Sequence, residues 1–142
     1  MKPRVLISAP YAFPVIQRYR SELEGAGCEI VVASVRERLE EQALLEVISS
    51  IDGIICGDDR ITERVLAAAP RLKVISKWGT GIDSIDVDAA RKRGIPVRNT
   101  PNAFSEHRVR YGLAKSIGSI AHRYSALARG VDVDGIDPRA PF

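Results

Sequence analysis

The chain has 142 residues, 45% of them apolar and 6% aromatic, with a formal charge of +3. That length suits one ordinary domain with a real core, and the apolar share is that of a soluble globular protein. No apolar run reaches the roughly 18–20 residues a membrane span needs, and the N-terminus shows no charged segment leading into an apolar one. A cytoplasmic protein with no membrane partner is therefore expected.

The charge is unevenly spread. Residues 1–106 carry 15 basic and 15 acidic side chains, whereas residues 107–142 carry 6 and 3. A balanced body with few aromatics does not look like a nucleic-acid binder. Cys28 and Cys56, the only two cysteines, both fall in expected strands. Without a secretory signal they read as buried, reduced thiols rather than a disulfide. Two separated cysteines with two distant histidines, His107 and His122, make no metal site.

Residues 4–9, RVLISA, are the first expected strand, being apolar and β-branched. A loop bracketed by Pro10 and Pro14 leaves its carboxyl end. Pro14 suits the first turn of a helix running to about residue 24, in which Ile16, Tyr19 and Leu23 recur at helical spacing. Gly25 and Gly27 end it. A second strand, 28–33, leads to a helix over 39–49 whose apolar face is Leu44, Leu45, Val47 and Ile48.

The third strand is 53–56, with Gly57, Asp58, Asp59 and Arg60 in the loop at its end. Thr62 caps a helix over 63–69, which Pro70 stops. The fourth strand, 73–78, runs into a tight loop of Gly79, Thr80, Gly81, Ile82 and Asp83. A short helix over 87–93 follows, with Asp86 as N-cap, Asp88 in the first turn, Lys92 and Arg93 in the last, and Gly94 at C′. Residues 95–99 are the fifth strand.

Strands and helices thus alternate over about 100 residues, which means a parallel sheet covered on both faces. The expected fold is α/β, a flavodoxin-like five-stranded parallel sheet of order 2-1-3-4-5 followed by a C-terminal helix. That last helix spans about 105–129, with Gly112 and Gly118 weakening it, and 130–142 has turn composition. The organisation expected is a flavodoxin-like domain over 1–104, a linking helix over 105–129 and a loose tail.

The loop after the fourth strand draws the chemistry. Two glycines one residue apart free the backbone to turn and let main-chain N–H groups converge on a carboxylate or phosphate. The carboxyl edge of a parallel sheet is where such folds place a ligand. The same glycines are equally read as a tight turn and nothing more. A dinucleotide fingerprint fails, because Ser84 stands at the third glycine and Arg98 and Asn99 stand where an acid should hold a ribose. A phosphoacceptor receiver domain shares the fold, and Asp58 and Asp59 fit one of its positions, but Ser8, Ala9 and Pro10 replace its acids after the first strand. His107 and His122 pair with no Ser, Cys or carboxylate at a catalytic spacing. Arg60 and Lys77 add charge near the loop and are expected to be solvated.

Leu72 through Asp86, LKVISKWGTGIDSID, then Ala89 and Ala90, Arg93 through Val97, and Asn99, Thr100 and Pro101 closely resemble the NAD-dependent D-2-hydroxyacid dehydrogenases, nearest the phosphoglycerate dehydrogenase-like branch. The resemblance runs from Val5 to about Glu106. It implies the substrate-binding part of a two-domain oxidoreductase acting on a small 2-hydroxy or 2-keto acid, with NAD bound by a separate Rossmann domain. It carries the substrate carboxylate onto the amides of Thr80 and Gly81, with Lys77, Trp78 and Gly79 shaping the pocket and Asn99 counted among the substrate-binding positions. The family's catalytic arginine, glutamate and histidine lie beyond the matched part, so no catalytic residue is assigned here. Cys56 stands where phosphoglycerate enzymes carry a phosphate-gripping arginine, and Arg60 comes four residues later, which puts a phosphorylated substrate in doubt. A truncated product, inactive alone, is the expectation, with a homodimer formed through the tail helix. The alternative is a stand-alone small-carboxylate-binding or dimerisation module without catalysis.

Overall fold

In this computed structural model the structure describes residues 2–9, 16–33, 35–78 and 81–99. The tail helix, the proline-bracketed loop, Gly79, Thr80 and both histidines lie outside them. Five short strands are present: β1 Arg4–Ile7, β2 Glu29–Val32, β3 Gly53–Cys56, β4 Val74–Lys77 and β5 Val97–Arg98. They form one sheet of order β2-β1-β3-β4-β5, and every pairing is parallel. This is the order expected from the alternation of strands and helices.

The central strands β1, β3 and β4 are mostly apolar because both faces are covered. Alternate residues point to opposite faces. Leu6, Ile54, Cys56 and Ile75 face one layer, where they meet the helices α2 (Glu41–Val47), α3 (Glu63–Ala67) and α4 (Val87–Lys92) through Leu44, Val65, Leu66 and Ala90. Val5, Ile7, Ala9, Ile55 and Val74 face the other, with Leu23 of α1 (Ile16–Gly25) and Cys28. Ile75 is fully buried near the centre; trimming such a side chain to alanine costs about 2–5 kcal/mol.

Helix ends follow local chemistry. The Thr62 hydroxyl accepts from the Val65 N–H, and the Asp86 carboxylate accepts from the Ala89 N–H, each satisfying a free donor of the first turn. Gly94 has φ +68°, and its N–H donates to the Arg91 carbonyl at 3.0 Å while Ile95 donates to Ala90 at 2.9 Å. Gly27, at φ +87°, does the same for α1, with Gly27 donating to Glu24 and Cys28 to Leu23. Both are Schellman ends. In both, the chain turns from helix into the segment leading to the next strand while a buried side chain, Cys28 or Ile95, packs back.

Several boundaries differ from the expectation. The helix expected over 39–49 is α2 plus a 3₁₀ turn, Ile48–Ser50, and Val47 is 38% exposed rather than on the apolar face. The regular ladders of β1 and β4 are shorter than the apolar runs. The backbone pairing nonetheless continues past them: Ser8 donates to the Ile55 carbonyl at 3.0 Å and Trp78 to Cys56 at 2.8 Å.

Candidate functional site

The carboxyl ends of β1, β3 and β4 lie side by side, and their loops build the edge of interest. Asp59 is its centre. It is fully buried, and its carboxylate accepts from the Ser8 hydroxyl at the end of β1 and from the Leu39 N–H in the segment after β2. One side chain therefore ties three successive loops. Burial pushes its carboxyl above the usual aspartate value, while those donors and the ammonium of Lys77 pull it back. Desolvation outweighs the donors, as expected when a carboxylate loses its water.

Lys77 is not solvated. It is 3% exposed, pairs in register with Cys56, and points to the opposite face from Trp78. Its ammonium donates to the Gly57 carbonyl at 2.7 Å and to the carboxylate of Asp58. A lysine on a strand covered on both faces can only stay charged with such partners. Arg60, in contrast, is exposed as expected. Trp78 is half-buried against the layer that holds α1. Lys77 and Trp78 thus anchor the start of the glycine loop on the two faces of the sheet.

Beyond the strands the loops are zipped a second time. Ile61 and Ile85 form a parallel bridge: Ile61 donates to the Ser84 carbonyl at 3.0 Å and Asp86 to the Ile61 carbonyl at 2.9 Å. Gly81 lies just before this bridge and is exposed. Its φ is not in the left-handed range, and a Cβ built on it meets no atom of the described residues within 4 Å. No left-handed backbone conformation calls for a glycine at 81. Asn99 is exposed one residue past β5. The described members of the expected site are thus Lys77, Trp78, Gly81 and Asn99, with Lys77 held inward and Gly81 and Asn99 outward.

Sequence reasoning missed Asp59 and the true role of Lys77. A signal existed for each. Ser8 and Asp59 are the small polar and acidic residues that follow two adjacent central strands, and Lys77 closes a strand buried on both faces.

The described residues do not fit a dinucleotide. The helix N-termini that follow β3 and β4 are already occupied by their own caps, Thr62 and the carboxylate of Asp86, with Glu63 and Asp88 in the first turns. A pyrophosphate would meet negative charge where it needs free N–H groups. Cys28 and Cys56 are buried free thiols whose pKa burial raises to about 11 and about 12, so neither is a nucleophile.

Known proteins resemble this chain in sequence and fold. The chain is 31% identical over 106 residues to a glyoxylate reductase of Thermococcus onnurineus, covering 74% of the chain and 30% of that protein. It is 33% identical over 87 residues to the D-3-phosphoglycerate dehydrogenase of Homo sapiens, covering 61% of the chain and 16% of that protein. The NAD+-bound 3-phosphoglycerate dehydrogenase of Entamoeba histolytica superposes with a TM-score of 0.62 at 30% identity, over 71% of the chain and 33% of that structure. The chain thus spans about a third or less of the length of these relatives. Residues 5–109 match the sequence model of the D-isomer specific 2-hydroxyacid dehydrogenase catalytic domain, and the chain belongs to that family.

Proposed function

We propose that this chain is the substrate-holding part of a D-2-hydroxyacid dehydrogenase, and that it grips the carboxylate of a small 2-hydroxy or 2-keto acid with the main-chain amides of Thr80 and Gly81. The observation that carries the reading is Gly81. It is exposed at the carboxyl edge of the sheet, has no left-handed φ, and a side chain there would meet none of the described residues, so neither its backbone conformation nor packing against the described residues calls for a glycine. An approaching ligand does, because a side chain there would stand between the acid and the backbone.

Hydride transfer in the whole enzyme is part of the same proposal. It needs a nicotinamide site that the described residues do not form, and an acid–base group to move the hydroxyl proton. What residues 1–99 contribute is orientation, holding the acid so that its C2 is presented in one geometry. Lys77 and Trp78 keep the loop fixed on the sheet, and Asn99 stands at the neighbouring strand end. A homodimer through residues 105–129 and a cytoplasmic setting complete the proposal.

Calorimetric titration of the chain with glyoxylate or pyruvate at millimolar concentration tests the binding. A heat that saturates is expected, and none at all would remove the reading. A steady-state assay with NADH and the same acids should show no turnover by this chain alone; clear activity would overturn the division of labour.

A further inference from the structure

The pairing of Lys77 with Asp58 is unequal. The ammonium is on a side chain 3% exposed, and the carboxylate it meets is on a side chain 78% exposed. Lys77 spends one donor on the Gly57 carbonyl at 2.7 Å and another on Asp58. Seen from solvent, the positive charge lies behind the negative one. An anion reaching this edge meets the Asp58 carboxylate first, with Asp59 buried behind it. Arg60 is exposed two residues after Asp58, and salt screens its attraction and the Asp58 repulsion alike.

This pair sits beside the loop that carries Gly81. Lys77 ends β4 directly before Trp78, and the Ile61–Ile85 bridge joins the loop after β3 to the loop after β4. The two loops are therefore neighbours on the carboxyl edge of the sheet. We propose that Asp58 is a specificity-determining residue of that edge: by covering Lys77 it turns away acids that carry a second anionic group, such as a phosphate, and leaves short singly charged 2-keto acids as the ligands. The inference rests on the substrate-holding reading above and narrows its substrate class. Like charges brought together suppress the wrong partner more than opposite charges strengthen the right one.

Asp58→Asn is the decisive variant. The amide oxygen still accepts from the Lys77 ammonium, and only the charge is lost. The full chain and the variant are titrated calorimetrically with glyoxylate and with phosphohydroxypyruvate, and a circular-dichroism melt of each confirms that both are folded. Asp58→Ser serves in its place if the first variant does not fold. The expected result is a gain of at least about tenfold in affinity for the phosphorylated acid, with glyoxylate changed by less than about threefold. The gain should shrink as salt is raised, as a charge effect does and a merely structural one does not. If glyoxylate binds but the variant's preference is unmoved, or the gain ignores salt, the role of Asp58 is overturned while the substrate-holding reading stands. If neither acid binds either protein, both fall together.

Discussion

Gly81 and Gly94 are both glycines next to the same short helix, yet alanine should act on them in opposite directions. At Gly94 the backbone has φ +68°, a conformation that costs an L-residue roughly 1–2 kcal/mol. Part of that is offset by the roughly 0.4–1 kcal/mol that alanine removes from the entropy of the unfolded chain. Gly94→Ala should therefore lose about 1 kcal/mol, near 3–4 °C in melting temperature for a chain of this size. At Gly81 the φ is not left-handed and the added methyl meets none of the described residues within 4 Å. Only the entropy effect remains, so Gly81→Ala should be stabilised by roughly 0.4–1 kcal/mol. The same methyl stands over the amides that the acid is proposed to use, so binding of glyoxylate should fall at least about tenfold in Gly81→Ala, a difference of 1.4 kcal/mol. In Gly94→Ala it should be intact. Melts followed by circular dichroism and calorimetric titrations of both variants decide it. A Gly81→Ala protein as destabilised as Gly94→Ala, or one that binds glyoxylate as well as the parent, refutes the reasoning.

Asp59 should give stability a recognisable pH dependence. Its folded pKa lies above the 3.8 of an ordinary aspartate, so the folded state keeps the proton to higher pH than the unfolded one. Its contribution is fully present below about 3.8 and is lost as pH rises through the raised value. Urea melts of the parent should therefore decline relative to Asp59→Asn as pH rises from about 4, and a relative rise would contradict the burial argument. Asp59→Ala should lose about 2–4 kcal/mol, because the Leu39 N–H and the Ser8 hydroxyl are left without their acceptor. At the amino edge, Asp52 accepts from the Arg4 N–H at 2.8 Å and takes a two-pronged contact from Arg71 at 3.2 and 2.9 Å. Asp52→Ala should accordingly cost more than Arg71→Ala, about 2–3 against about 1 kcal/mol, in denaturant titrations. The thiols of Cys28 and Cys56, pushed up to about 11 and about 12, should resist iodoacetamide at pH 8 in the folded chain and react once it is unfolded in guanidinium.

Much of the sheet was legible because its strands are covered on both faces, so Ile54, Ile55 and Val74 through Ile75 read as plain apolar runs. The caps Thr62 and Asp86 and the C′ residue Gly94 were legible for a different reason: each acts within a few residues of itself. What escaped were choices made between neighbours of one chemical type. Asp58 and Asp59 are identical in sequence, yet one is 78% exposed on its side chain and the other fully buried; only the position of Ser8 and Leu39 across the sheet separates them. Lys77 looked like a surface charge because its partners, Gly57 and Asp58, come from another strand end. Val47 fell off the core face because α2 tightens into a 3₁₀ turn one residue later, which rotates the helical period. The role proposed for glycine at 81 was the least legible, since it rests on what the described residues leave open rather than on what they pack.

The small bridge between Ile61 and Ile85 makes the two loops mechanically one. The amide protons of Ile61 and Asp86 each close a ring between them, so neither segment can swing out without tearing both. Their exchange with deuterated solvent is therefore a built-in gauge. If an acid settles near Gly81 as proposed, it should slow that exchange, and a spectroscopist would watch the ligand arrive from two protons that never touch it.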